Sequence, residues 1–189
     1  YPFGYGLSYT EFEWTLENIN ITPNSDFTME SEFTFDIKVK NVGDIKGQDV
    51  IQIYVTPPYT DGEIEKSSLS LVGYGKTHVI EPGREETITI KVDPYDFASY
   101  DCYDLNHNGH KGYELEEGTY TLSFRSNSHD VKPIKYQGSD ILTGLDYEVE
   151  NTIYIDKDPI TGKDVHNLFT GSDKVDTTSI DAKEDDFDP

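Results

Sequence analysis

Residues 33–55 constrain this chain more than any other stretch. Phe33, Phe35, Ile37 and Val39 take every second position, with Thr34, Asp36, Lys38 and Lys40 between them. This is the period of a β-strand with one face in a core and the other in water. A second run, residues 48–55, puts Ile51, Ile53 and Val55 on one face and Gln52 and Tyr54 on the other, and its β-branched content suits a strand. Between the runs, Asn41, Gly43, Asp44 and Gly47 tolerate positive φ or bond back to their own backbone, so the chain can reverse. An antiparallel pair is therefore predicted as the nucleus of the fold.

The rest of the chain repeats the pattern in shorter pieces. Phe12, Trp14 and Leu16 alternate with acids and Thr15; Leu69, Leu71, Tyr74, Val79 and Ile80 read as one or two short strands; Ile88, Ile90 and Val92, then Tyr120, Leu122 and Phe124, alternate cleanly. Prolines and glycines punctuate these runs at residues 57–62, 81–84 and 93–96, where a missing N–H or a free φ ends a ladder. About seven short strands with almost no helical period predict an all-β fold, an immunoglobulin-like or fibronectin type III-like β-sandwich with an irregular C-terminal extension. Tyr120, just after Glu117 and Gly118, stands where such sandwiches carry a corner tyrosine whose hydroxyl bonds to nearby backbone. Residues 97–118 are expected to form a long loop, and residues 148–155 one further strand.

Four parts are expected: an interdomain linker segment over residues 1–10, a sandwich over 11–135, an extension packed on it over 136–170, and a disordered acidic linker over 171–189. The last holds seven acids and two lysines, too polar to bury a core of its own. The opening ten residues mix Pro and Gly with four aromatics and read as a linker that docks, so the chain is expected to be a piece of a longer protein. Fifteen Lys and Arg against 37 Asp and Glu give a formal charge of -22. Such a surface repels phosphate backbones and anionic lipid, which argues against nucleic acid and membranes as partners. The single cysteine, Cys102, excludes an internal disulfide framework.

Several of these stretches resemble a known family when taken together and in order. They are Tyr1-Pro2-Phe3-Gly4-Tyr5-Gly6-Leu7-Ser8-Tyr9-Thr10, then Val39-Lys40-Asn41-Val42-Gly43-Asp44 with Gly47, and Val50-Ile51-Gln52-Ile53-Tyr54-Val55. Leu71-Val72-Gly73-Tyr74 with Glu81-Pro82-Gly83 follows, and then Glu117-Gly118-Thr119-Tyr120-Thr121-Leu122. The set is similar to the fibronectin type III-like domain of glycoside hydrolase family 3 enzymes, over roughly residues 1–130. The resemblance implies a parent of the β-glucosidase or β-xylosidase type that retains configuration by a two-carboxylate mechanism. It also implies that both catalytic carboxyl groups lie in other domains, so that this chain holds no catalytic residue and its partners are the catalytic domains of the same parent chain. Asn167-Leu168-Phe169-Thr170-Gly171 and the acidic run after it resemble the connector of circularly permuted members.

Three local signals compete with a purely structural reading. Asp104, Asn106, Asn108 and Glu114, with Gly109 for a sharp turn, place oxygen-bearing side chains as a Ca²⁺ loop does. Leu115 departs from that pattern where a bidentate Glu is expected, and Asn-Gly also makes ordinary turns. Cys102, His107 and His110 offer three zinc-type ligands, one short of a structural site and without a recurring spacing. The aromatics at residues 1–9, and Tyr95, Tyr100, Tyr103 and Tyr113, suit either stacking on sugar rings or contact with neighbouring domains. The sequence therefore supports an accessory, noncatalytic domain first. A carbohydrate-binding module tethering an enzyme to polysaccharide is the alternative, and a Ca²⁺-stabilised adhesion domain is a third.

Overall fold

The computed structural model describes residues 1–169; the acidic run at 171–189 lies outside the described residues. The strand predicted from the alternation at Phe33 becomes β2 (Phe33–Asn41) and sits at the centre of the first sheet, between β1 (Phe12–Ile19) and β5 (Glu85–Val92). Both neighbours pair with it antiparallel, Trp14 opposite Val39 and Ile90 opposite Phe35. A bulge between Leu16 and Asn18 lets β1 keep its apolar side inward along its length. Two short strands, β9 (Ile134–Tyr136) and β10 (Ser139–Ile141), extend this sheet beyond β1.

The second sheet holds β3 (Val50–Thr56), β4 (Ser70–Lys76), β8 (Gly118–Arg125) and β11 (Leu145–Val149), in the order β11-β8-β3-β4. With β1, β2 and β5 these four make the expected seven-stranded sandwich. Its last strand lies beyond residue 135, within the stretch assigned from sequence to an extension: β11 pairs with β8 through five residues, from Leu145 opposite Leu122 to Val149 opposite Gly118. The sheets close on an aromatic core. Phe33 meets Tyr147 edge to face at 4.8 Å, and Phe27 meets Tyr120 likewise at 5.6 Å. Burying each such side chain contributes about 2 to 3 kcal/mol. Close approach needs glycine at Gly73, where an added Cβ would stand 2.7 Å from Val92 Cγ2 and 3.1 Å from Ile90 Cγ2.

The structure departs from the sequence reading at three further places. The runs at 33–40 and 48–55, expected to pair antiparallel with each other, lie in different sheets: β2 pairs with β1 and β5, β3 with β4 and β8, and the turn at residues 41–47 carries the chain from one sheet to the other. Residues 97–118, expected to be a loop, contain β6 (Ser99–Asp101) and β7 (Gly112–Leu115), which form a third sheet with β12 (Ile153–Ile155). Strands of three and four residues are too short for alternation to reveal. The strand expected at 148–155 is two strands on two sheets, because Tyr147 and Val149 enter the main core while Ile155 packs beside β7. The corner tyrosine is as expected: the Tyr120 hydroxyl donates to the Glu116 carbonyl at 3.2 Å, four residues upstream.

Candidate docking interface

Residues 1–10 form a strap whose backbone is held and whose large side chains are not. At its C-terminal end the Thr10 hydroxyl donates to Asn41 Oδ1 at 2.7 Å, and the same oxygen accepts from Gly43 N at 3.1 Å. The Asn41 amide nitrogen in turn donates to the carbonyls of Ile45 and Ile80, at 2.8 and 2.9 Å. Asn41 is fully buried, so one side chain joins the strap, the end of β2, the following turn and the β4–β5 connection. Gly43 is required here, since a Cβ would run into the Thr10 hydroxyl.

Further towards the N-terminus the strap crosses the outer face of β3 and the end of β8. Ser128 N donates to the Phe3 carbonyl at 2.9 Å. The Gln52 amide nitrogen bonds Ser126 O at 2.9 Å and reaches Gly4 O at 3.5 Å, while Gln52 Oε1 accepts from the Tyr54 hydroxyl at 2.8 Å. Gly4 has φ 79°, and a Cβ there would run into the Gln52 side chain. Beside this crossing, the buried Trp14 indole donates to Asp49 Oδ2 at 2.7 Å, and Lys132 Nζ binds the same oxygen at 3.1 Å while lying 4.1 Å from the Trp14 ring centroid. Sequence reasoning took Asn41 as a turn residue and missed Gln52 and Asp49. The available signal was polarity in the wrong place, a glutamine inside the otherwise apolar and aromatic run of β3.

With its backbone so held, the strap presents Phe3 at 69% exposure, Leu7 at 89% and Tyr9 at 93%, and β4 adds Tyr74 at 72%. Phe3, Gly4, Val50, Gln52, Leu71 and Tyr74 line an open, mainly apolar cavity of about 460 Å³. The outer face of the first sheet is the opposite in kind. Lys38 pairs with Glu17 at 2.8 Å and Lys91 with Glu32 at 2.7 Å, while Thr87 and Thr89 donate to Glu17 and Asp36. The Lys38 hydrogen bond, then that of Thr87, holds the Glu17 carboxyl below its ordinary range. Charges that pair with one another along exposed strands belong to a solvated face.

Of the four residues of the expected cation loop, Asn106, Asn108 and Glu114 meet between β6 and β7. Asn106 and Asn108 each donate a side-chain amide to Glu114, to Oε1 at 2.6 Å and to Oε2 at 2.7 Å. Asp104, at φ 60°, accepts from Gly109 N at 2.9 Å. Asp101, almost fully buried, accepts from the backbone nitrogens of Tyr103 and Leu105. Glu114 is fully buried, and both its oxygens have donors from the protein itself. Among the described residues no three or more His, Cys, Asp or Glu side chains group to hold a metal ion, and Cys102, His107 and His110 are not gathered. Nearby, Lys66 and Glu116 form an ion pair, and burial pushes the Lys66 ammonium below its usual range against the pull of Glu114 and Glu63.

Residues 49–128 match the family described as the fibronectin type III-like domain. Beta-glucosidase A of Butyrivibrio fibrisolvens is 34% identical over 146 residues, covering 72% of this chain and 17% of its own length. A beta-glucosidase of Ruminococcus albus is 36% identical over 132 residues, covering 70% of this chain and 13% of its own length. Among solved structures, a beta-glucosidase of Paenibacillus barengoltzii superposes with a TM-score of 0.61 at 27% identity, over 79% of this chain and 16% of that one. The chain thus spans about a sixth or less of the length of the relatives it matches. Fold and sequence agree, and the chain belongs to the fibronectin type III-like domains found in β-glucosidases of glycoside hydrolase family 3.

Proposed function

We propose that this chain is a noncatalytic accessory domain of a β-glucosidase-like enzyme, docking on the catalytic part of the same polypeptide and fixing its geometry. The observation that carries this reading is the contrast between the two outer faces. One is a ladder of mutually satisfied charges, and the other carries Phe3 and Tyr74 exposed beside an apolar cavity, with Leu7 and Tyr9 exposed further along the strap. Large exposed apolar patches mark interaction surfaces, and contacts between domains of one chain are of this kind. The strap backbone is already ordered by Asn41 and Gln52, so docking costs little conformational entropy in that segment. The domain's contribution to catalysis is positional, holding groups of a shared site at a working distance.

The loop and sheet tyrosines support docking over sugar binding. Tyr100 and Tyr113 meet edge to face at 74°, and Tyr95 is tilted 47° from Tyr113, which is a packed cluster and not a flat platform for a sugar ring. The reading is tested by placing Phe3→Ser with Tyr74→Ser in the full-length protein. Both side chains are exposed in this chain, so its own melting should change by no more than about 0.5 kcal/mol. The full-length protein should lose thermal stability and kcat/KM. Unchanged stability and activity would overturn the docking reading, and saturable binding of β-glucan by the chain alone would move the aromatics to a ligand role.

A further inference from the structure

The loop between β6 and β7 carries an Asn108–Gly109 pair at its exposed tip. Glycine offers no Cβ to shield its nitrogen, so this is the dipeptide in which backbone attack on the asparagine side chain meets least hindrance. In that reaction Gly109 N bonds to Asn108 Cγ, the Cγ–Nδ2 bond breaks, and Nδ2 takes the Gly109 amide proton and leaves as ammonia. Water then opens the five-membered imide at either carbonyl, adding hydroxyl to carbon and a proton to nitrogen. Aspartate or isoaspartate remains at position 108, and no oxidant or cofactor is needed.

All three groups that must move are held in the closed loop. Gly109 N donates to Asp104 Oδ1 at 2.9 Å, Asn108 Oδ1 accepts from His110 N at 2.8 Å, and Asn108 Nδ2 donates to Glu114 Oε2 at 2.7 Å. We propose that Asn108 is a deamidation site gated by this loop: closure blocks the attack, opening permits it, and the product prevents reclosure. The last step follows from charge. Glu114 is fully buried and takes its second donor from Asn106 at 2.6 Å. A carboxylate at position 108 replaces an amide donor with a like charge beside the buried Glu114 carboxylate, which is unfavourable. Each opening that leads to reaction is thereby recorded in the covalent structure.

The test follows the full chain at mildly alkaline pH by peptide mapping, reading the mass change of amide-to-acid conversion at Asn108 in native buffer and in urea. The native rate should be slower by roughly tenfold or more, the factor set by the free energy of local opening. Equal rates would overturn the gate. For the product, Asn108→Asp should lower Tm and speed proteolysis within the loop more than Asn108→Ala, which removes the same hydrogen bond without adding charge. Equal effects of the two would overturn the like-charge step.

Discussion

The Thr10 hydroxyl and Asn41 Oδ1, 31 residues apart in sequence, share a 2.7 Å hydrogen bond that ties the aromatic strap to the end of the central strand. Asn41→Ala would leave the Ile45 carbonyl, Gly43 N and the Thr10 hydroxyl without their partner and the Ile80 carbonyl with Gly47 N alone, around a fully buried position. A loss of about 3 kcal/mol is expected, because each unsatisfied buried group costs about 1 to 3 kcal/mol and some regain water. Urea unfolding of the chain measures it. A loss below about 1 kcal/mol would mean that the strap is not held through this side chain.

Gly73→Ala should destabilise the sandwich by about 1 to 3 kcal/mol, since the new methyl meets Val92 and Ile90 across the sheets. Gly6→Ala is the control. Nothing lies within 4 Å of a Cβ at Gly6, and the change should be nearly neutral by thermal melting.

Burial raises the Tyr120 and Tyr147 hydroxyls above the ordinary tyrosine value of 10.0. Above that value the unfolded state has lost protons the folded state keeps, so stability is full below pH 10 and falls as pH rises towards the folded values. Of the fourteen tyrosines, these two should form phenolate only as the chain unfolds. Phenolate absorbance that rises for all tyrosines before any change in circular dichroism would contradict this burial.

Strand alternation is a local property, and β2 was legible because it buries every second residue along its length; β3 and β8 carry the same alternation of apolar residues, although β3 buries Ile51 to Val55 without a break. The third sheet was not, because β6, β7 and β12 offer three or four residues each and gain their place from pairing with one another. The docking strap was half legible. Its aromatics and glycines suggested contact with a neighbour, but Gln52 and Asn41 act across 48 and 31 residues, and no local pattern marks such partners. The Asp104 loop shows the converse: of four residues read from spacing, Asn106 and Asn108 direct amide donors at Glu114, while Asp104 accepts from Gly109 N.

Removing Ca²⁺ with a chelator should therefore shift Tm by less than about 2 °C, while Glu114→Ala, which strands two amides, should cost about 1 to 2 kcal/mol. A rise of several degrees on adding Ca²⁺, absent in Glu114→Ala, would instead make Asp104, Asn106, Asn108 and Glu114 cation ligands.

Docking of the strap face would protect its backbone, and amide hydrogen exchange compared between this chain alone and the full-length protein reads that protection out. Residues 3–9 and 71–75 should exchange more slowly in the full-length protein, while the solvated strands around Lys38 and Thr89 exchange alike in both. Equal exchange at the strap in the two proteins, or protection found on the β1–β2–β5 face instead, would contradict the account.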